Sequence, residues 1–87
     1  MPAQDEPRVI IYTTDWCPFC NMAKRLLDQR QVRYKEELLD TEGRQRLRER
    51  TGMMTVPQIF IDDQLVGGFH ELVLLDRQQG LARLMSE

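Results

Sequence analysis

The 87-residue chain holds only two cysteines, one histidine and one tryptophan. Two cysteines cannot build the cross-linked framework of a small secreted domain. With His70 the sole histidine, too few donors remain for a four-ligand zinc site within one chain. No metal is therefore expected. No apolar run approaches the ~20 residues needed to cross a bilayer. Charge of one sign is also lacking: 12 Lys and Arg against 14 Asp and Glu give a formal net charge of -2. That balance supplies no basic field for nucleic acid, so neither nucleic acid nor membrane is an expected partner. Five glycines and four prolines form no repeat, linker or low-complexity segment. At this length there is room for one domain with one modest core. The opening stretch Met1-Pro2-Ala3-Gln4-Asp5-Glu6-Pro7 is polar and acidic, without the basic and apolar regions of a secretory signal. A flexible tail over residues 1–7 and a domain over 8–87 are predicted. The expected compartment is the cytoplasm, where thiols stay reduced.

What is present is concentrated in Trp16-Cys17-Pro18-Phe19-Cys20. A disulfide between cysteines three positions apart closes too small a loop to staple a fold, because the stabilisation grows with loop length. The pair is therefore assigned to chemistry rather than to scaffolding. The flanks agree. Arg8-Val9-Ile10-Ile11-Tyr12 reads as a strand, and Pro18 to Arg30 reads as a helix. A Cys-x-x-Cys at such a junction is a thioredoxin-like redox signature. With Cys17 at the N-cap, Pro18 takes the first helical position, where its missing N–H costs nothing. The first helical N–H groups have no partners inside the helix. Together with the helix dipole they favour an anion at Cys17. A thiolate is that anion. Free thiols ionise at about 8.5, and such settings bring this into roughly 3.5–7.5. Cys17 is thus the expected attacking sulfur, and Cys20, one turn on and facing inward, the resolving one.

The rest of the chain supplies a frame. Residues 8–13 form the first strand, and the unbroken Val9-Ile10-Ile11 predicts a central position covered on both faces. Thr13-Thr14-Asp15 is expected as an exposed turn. Phe19, Cys20, Ala23, Leu26 and Leu27 recur at helical spacing, widened by Met22. Val32-Arg33-Tyr34-Lys35-Glu36 alternates like a half-buried strand, completing a βαβ span. Asp40 or Thr41 caps a second, mostly polar helix with Leu47 as its core contact and Gly52 as its C′ glycine. Its four arginines, Arg44, Arg46, Arg48 and Arg50, read as a solvated face. Residues 55–61 return as a strand, Asp62-Asp63-Gln64 turns without a glycine, and Leu65-Val66 pairs back as a hairpin. Gly67-Gly68 breaks the strand. A last helix starts at Phe69, continues or restarts near Gly80, and ends near Met85, with Leu72, Val73, Leu75, Leu81, Leu84 and Met85 as its core contacts. The order is β-α-β-α-β-β-α. Few arrangements survive the connection rules. The predicted one is an α/β fold with a four-stranded mixed sheet and helices on both faces.

With Cys17-Pro18-Phe19-Cys20, Thr55-Val56-Pro57 and Gly67-Gly68 in this order, the chain resembles the glutaredoxins, small members of the thioredoxin fold, from Val9 to Met85. The resemblance implies a glutathione-dependent thiol–disulfide oxidoreductase working through Cys17 and Cys20. It implies a cis bond at Pro57, leaving the Val56 backbone free to hold an extended substrate. Glutathione is the implied co-substrate. Val56 would hold its cysteinyl part, within Thr55-Val56-Pro57, and Phe19 would wall the site where the family usually has tyrosine. The N–H groups after Gly68, near Phe69, His70 and Glu71, would receive the γ-glutamyl carboxylate, a role suited to a helix N-terminus. Glu71 matches a family acid that meets the γ-glutamyl amine, and Arg44 a position facing the glycyl carboxylate. Implied partners are glutathionylated or disulfide-bearing proteins, with ribonucleotide reductase among the candidates, met by a monomer.

The chain also departs from the family. Thr14 stands where lysine is frequent, Met53-Met54 where a basic or polar residue is common, and Phe69-His70 where a small polar or acidic residue often follows the glycines. These departures motivate a rival, an electron donor reduced by a thioredoxin-reductase-type flavoenzyme. A second rival is a binding module in which two chains and two glutathiones bridge a [2Fe–2S] cluster through Cys17; Pro18 speaks against it by family analogy. His70 reads as a partly exposed residue of the first turn, and Met53 and Met54 as adaptable packing or a substrate-facing rim.

Overall fold

The computed structural model describes residues 7–85, without the Met85 side chain; the predicted tail lies outside them but for Pro7. The elements are β1 (Val9–Thr13), α1 (Pro18–Gln29), β2 (Tyr34–Leu38), α2 (Thr41–Thr51), β3 (Gln58–Ile61), β4 (Gln64–Gly67), α3 (Phe69–Arg77) and α4 (Gly80–Met85). The strands form one sheet in the order β2-β1-β3-β4. β1 pairs parallel with β2, and antiparallel with β3. The expected mixed sheet with β1 inside is thus present.

β1 buries Val9, Ile11 and Thr13 on one face. Val9 and Ile11 join Ala23, Leu27, Val32, Ile59, Leu72 and Leu81 in the main core, under α1, α3 and α4. Truncating a buried leucine such as Leu27 or Leu72 to alanine removes about 2–5 kcal/mol in cores of this kind. The opposite face is thinner. Phe60 meets the Tyr12 ring edge-on at 5.5 Å, and the Arg50 guanidinium of α2 lies 5.1 Å from the Phe60 centroid. One arginine of the supposed solvated face therefore covers an aromatic ring.

Helix ends follow their residues. The Asp40 carboxylate accepts the Gly43 N–H at 2.7 Å, and Gly52 closes α2 in the left-handed conformation. The Asp62-Asp63 turn has φ of 51° and 65°, the pair of positive angles that a two-residue type I′ hairpin requires. Asp62 also pairs with Arg8 through two side-chain hydrogen bonds.

Three expectations need correcting, and one open alternative is decided. Thr13 is not in an exposed turn; it ends β1, buried, with its hydroxyl donating to Glu36 Oε2 at 2.7 Å. β2 starts two residues late, because its register is set by β1: Val9 faces Tyr34 and Thr13 faces Leu38. Val32 is buried ahead of that strand. β3 begins at Gln58, so Thr55-Val56-Pro57 is loop. Of the two courses open to the last helix, continuing or restarting near Gly80, it restarts, with Gln79 at a φ of 66° between α3 and α4.

Candidate active site

The site begins where β1 hands over to α1. Cys17 is extended (φ -122°, ψ 96°) and serves as the N-cap, with Pro18 directly inside the helix. Its Sγ accepts the Cys20 N–H at 3.1 Å, and its carbonyl accepts the Asn21 N–H at 3.1 Å. The first turn of α1 contains no acidic side chain. The Cys20 amide and the helix dipole thus act on this sulfur, and no acidic side chain of that turn opposes them. Cys17 is joined to Cys20 by a disulfide, with Cα atoms 5.1 Å apart. The two sulfurs differ in access. Cys17 is half-buried, whereas Cys20 is 1% exposed. An incoming reagent meets Cys17 first.

The facing wall is the loop after α2. The Val56–Pro57 peptide bond is cis, and the Val56 carbonyl oxygen lies 3.7 Å from Cys17 Sγ. Next to it stands the start of α3. The Glu71 carboxylate accepts the Gly68 N–H at 2.7 Å, half of a capping box in which glycine has no side chain to reciprocate. The Phe69 and His70 N–H groups of the first turn then have no partner inside the helix. The β3–β4 register skips Val66, with Phe60 facing Leu65 and Ile59 facing Gly67. A bulge of this kind re-aims the chain, here toward α3. Gly67 sits at φ 131°, and a Cβ there would fall 2.7 Å from Glu71 Cγ. Only glycine allows Glu71 so close.

Phe19, Phe69 and His70 gather: their ring centroids are 6.0–6.1 Å apart pairwise. Trp16, at 99% exposure and φ 56°, precedes Cys17. Met54 and Thr55 are exposed in the facing loop, and Met53 is half-buried. Cys17, Phe19, Val56, Pro57, Gly68, Phe69, His70 and Glu71 are therefore carried by three adjoining segments. Arg44 is exposed on α2 and enters no ion pair among the described residues. Among the described residues no cluster of three or more His, Cys, Asp or Glu side chains is gathered to hold a metal.

Sequence reasoning missed the supports. Lys24 Nζ and the Thr13 hydroxyl both reach Glu36 Oε2, at 2.9 and 2.7 Å, and tie α1, β1 and β2 together below the junction. The Thr13 hydroxyl first, then Lys24, holds the Glu36 carboxyl below its ordinary range. Gln58 is buried behind the Val56 loop. Its only signal was a polar residue opening the apolar run Ile59-Phe60-Ile61.

Comparison with known proteins agrees with this geometry. The glutaredoxin family's sequence profile matches residues 9–66. A Pseudomonas aeruginosa glutaredoxin is 44% identical over 82 residues, 92% of this chain and 98% of that one. Glutaredoxin 3 of Escherichia coli is 43% identical over 79 residues, 88% of this chain and 95% of that one. Among solved structures, a Brucella melitensis glutaredoxin superposes with a TM-score of 0.78 at 35% identity, covering 94% of both chains. A buckwheat glutaredoxin–glutathione complex superposes with a TM-score of 0.81 at 25% identity, covering 92% of this chain and 77% of that one. With its paired cysteines at the mouth of a thioredoxin-like sheet, the chain belongs to the glutaredoxins, a family of thiol–disulfide oxidoreductases.

Proposed function

We propose that the reductant and the preferred adduct are both glutathione. The observation that carries this reading is the placement of Cys17 Sγ 3.7 Å from the Val56 carbonyl, in a loop whose Pro57 carbonyl borders Gly68, the N-cap of α3. The Val56 backbone pairs with the cysteinyl residue of an extended tripeptide. The free Phe69 and His70 amides take its γ-glutamyl carboxylate, as helix N-termini take anions. Glu71, anchored by one oxygen to Gly68, offers the other to the γ-glutamyl ammonium. Phe19 walls the groove, and Arg44 serves the glycyl carboxylate. The buckwheat neighbour is a glutathione complex, which supports the assignment.

In the reaction, the Cys17 thiolate attacks the glutathionyl sulfur of a protein–glutathione mixed disulfide. A Cys17–glutathione disulfide forms, and the protein leaves as a thiolate that takes a proton. A second glutathione thiolate attacks the adduct, releasing oxidised glutathione and restoring Cys17. With a protein disulfide, Cys17 forms the mixed disulfide and Cys20 displaces it, giving the intramolecular Cys17–Cys20 bond. Two glutathiones then reduce that bond in sequence. Rates follow the attacking thiolate and the leaving thiol. The enzyme is assigned to the cytoplasm as a monomeric single domain, with ribonucleotide reductase among its candidate protein substrates.

The test is turnover of a small glutathione mixed disulfide with glutathione as sole reductant. Cys17→Ser abolishes it and also abolishes reduction of protein disulfides. Cys20→Ser abolishes only the second. Deglutathionylation lost in Cys20→Ser and kept in Cys17→Ser would reverse the assignment. Oxidised protein reduced by a thioredoxin-reductase-type flavoenzyme, and not by glutathione, would replace glutathione as the reductant.

A further inference from the structure

Gln58 and Thr13 are the buried polar side chains among the described residues, and Gln58 is 2% exposed. It follows Pro57 and opens β3, in contact with the loop that carries Val56. That loop leaves α2 at Gly52 and runs outside any helix or strand to Gln58. Its Met53 and Thr55 carbonyls turn inward, where no ladder serves them. Gln58 Nε2 donates to both, at 3.2 and 3.1 Å. Its Oε1 lies 2.9 Å from the Thr51 hydroxyl. That hydroxyl is also 3.0 Å from the Leu47 carbonyl and accepts the Met53 N–H at 3.1 Å. Its one proton serves Leu47 or Gln58 at a time.

The demand at this point is specific. Two carbonyls need two donors, and the Thr51 hydroxyl has Gln58 Oε1 as an acceptor alternative to the Leu47 carbonyl. A carboxamide carries two N–H donors and one carbonyl. A carboxylate carries no donor, and an aliphatic side chain neither. The Met53 N–H and the Met53 and Thr55 carbonyls are thereby tied to the end of α2 or the start of β3, both of which are anchored in the fold.

We propose that Gln58, held by Thr51, is a positioning residue that sets the Val56 backbone at binding distance from Cys17, and so governs substrate affinity rather than the reactivity of the sulfur. This rests on the reading that the Val56 backbone holds the cysteinyl part of glutathione. Gln58 touches neither sulfur nor substrate. Its action passes through the Met53 and Thr55 carbonyls on either side of Met54. The division of labour follows: the N-cap amides act on Cys17 from α1, and the carboxamide acts on the ligand from the other side of the cleft.

The test uses reduced full-length protein, the small glutathione mixed disulfide with glutathione, and, in parallel, an extended peptide containing a disulfide. Gln58→Leu and Thr51→Val are each expected to raise KM for both substrates about tenfold, equivalent to about 1.4 kcal/mol. In both, kcat stays within about twofold and the rate of Cys17 alkylation by iodoacetamide is unchanged, because a tenfold loss confined to KM reports binding lost equally from the ground and transition states. Thr51→Ser, which keeps the hydroxyl, restores KM. An unchanged KM in Thr51→Val overturns the proposal. So does a parallel fall of kcat and alkylation rate in that variant, which would mark general damage. Should Gln58→Leu fail to fold, the Thr51→Val and Thr51→Ser pair decides alone. Wild-type silence toward the glutathione substrate, with the peptide still reduced, would sink the glutathione reading and leave the positioning role of Gln58 to be judged on the peptide's KM.

Discussion

Adjacent glycines at the end of β4 should respond very unequally to the same substitution. Gly67 has φ 131°, and an added Cβ would lie 2.7 Å from Glu71 Cγ, 2.8 Å from its Oε1 and 2.9 Å from its Cβ. The far atoms could rotate away; the Cβ could not, since it rides on the α3 backbone. Gly68 is extended, with φ -96° and ψ -158°, a conformation open to any residue. A Cβ there meets Glu71 Oε1 and the Pro57 carbonyl at 3.4 Å, which is ordinary contact. For Gly67→Ala, a backbone held in a glycine conformation costs about 1–3 kcal/mol. Displacing the exposed Glu71 carboxylate from the Gly68 N–H adds about 1 kcal/mol. The sum, about 2–4 kcal/mol, is a large share of the roughly 4–13 kcal/mol expected for a chain of this size. Gly68→Ala should cost under about 0.5 kcal/mol, as unstrained substitutions usually do. Urea unfolding of both variants followed by far-ultraviolet circular dichroism measures the difference, and thermal melts should show Gly67→Ala lower by roughly 10–25 °C. Equal losses in the two variants, or a Gly67→Ala loss under about 0.5 kcal/mol, would refute the argument that Glu71 occupies the space a side chain needs.

Three further outcomes follow from the same structure. The reduced Cys17 thiol should ionise more readily than cysteine in an unfolded peptide, because the Cys20 N–H already points at its sulfur; ultraviolet titration of Cys20→Ser, which leaves one thiol, checks this. Glu36 has a folded-state pKa below its unfolded one, so its contribution is present above the usual carboxylate range and is lost as pH falls through the lowered value. Glu36→Gln should therefore destabilise at neutral pH, by under about 1 kcal/mol for so exposed a pair, and the gap from wild type should close in acid-unfolding curves. The bidentate Arg30–Asp76 contact joins the end of α1 to α3; its surface position limits Asp76→Ala to about 1 kcal/mol or less, read from urea midpoints.

Much of this was legible locally. Cys17 as N-cap, Pro18 inside the helix and Gly52 at the end of α2 depend on neighbours a few residues away, and sequence carries that information directly. The inside position of β1 followed from its unbroken apolar run; the strand order itself did not. What was not legible depended on partners far along the chain. β2 starts at Tyr34 because β1 dictates its pairing, although Val32 continues the same alternation. Thr13 is buried because Glu36, 23 residues on, receives its hydroxyl. Gln58 carries no local mark of the three groups it serves, since Thr51, Met53 and Thr55 meet only once the loop has folded back. Arg50 looked like its charged neighbours until Phe60 was placed beneath it.

The lone indole has a practical consequence. Trp16 is 99% exposed beside the reactive sulfur, so its emission is that of a hydrated chromophore before and after denaturation. Fluorescence would therefore be nearly blind to global unfolding. It would instead signal events at its neighbour, as thiol, disulfide and adduct quench the excited state differently. The chain thus carries a built-in optical probe of its own catalytic cycle, usable in stopped-flow without a label.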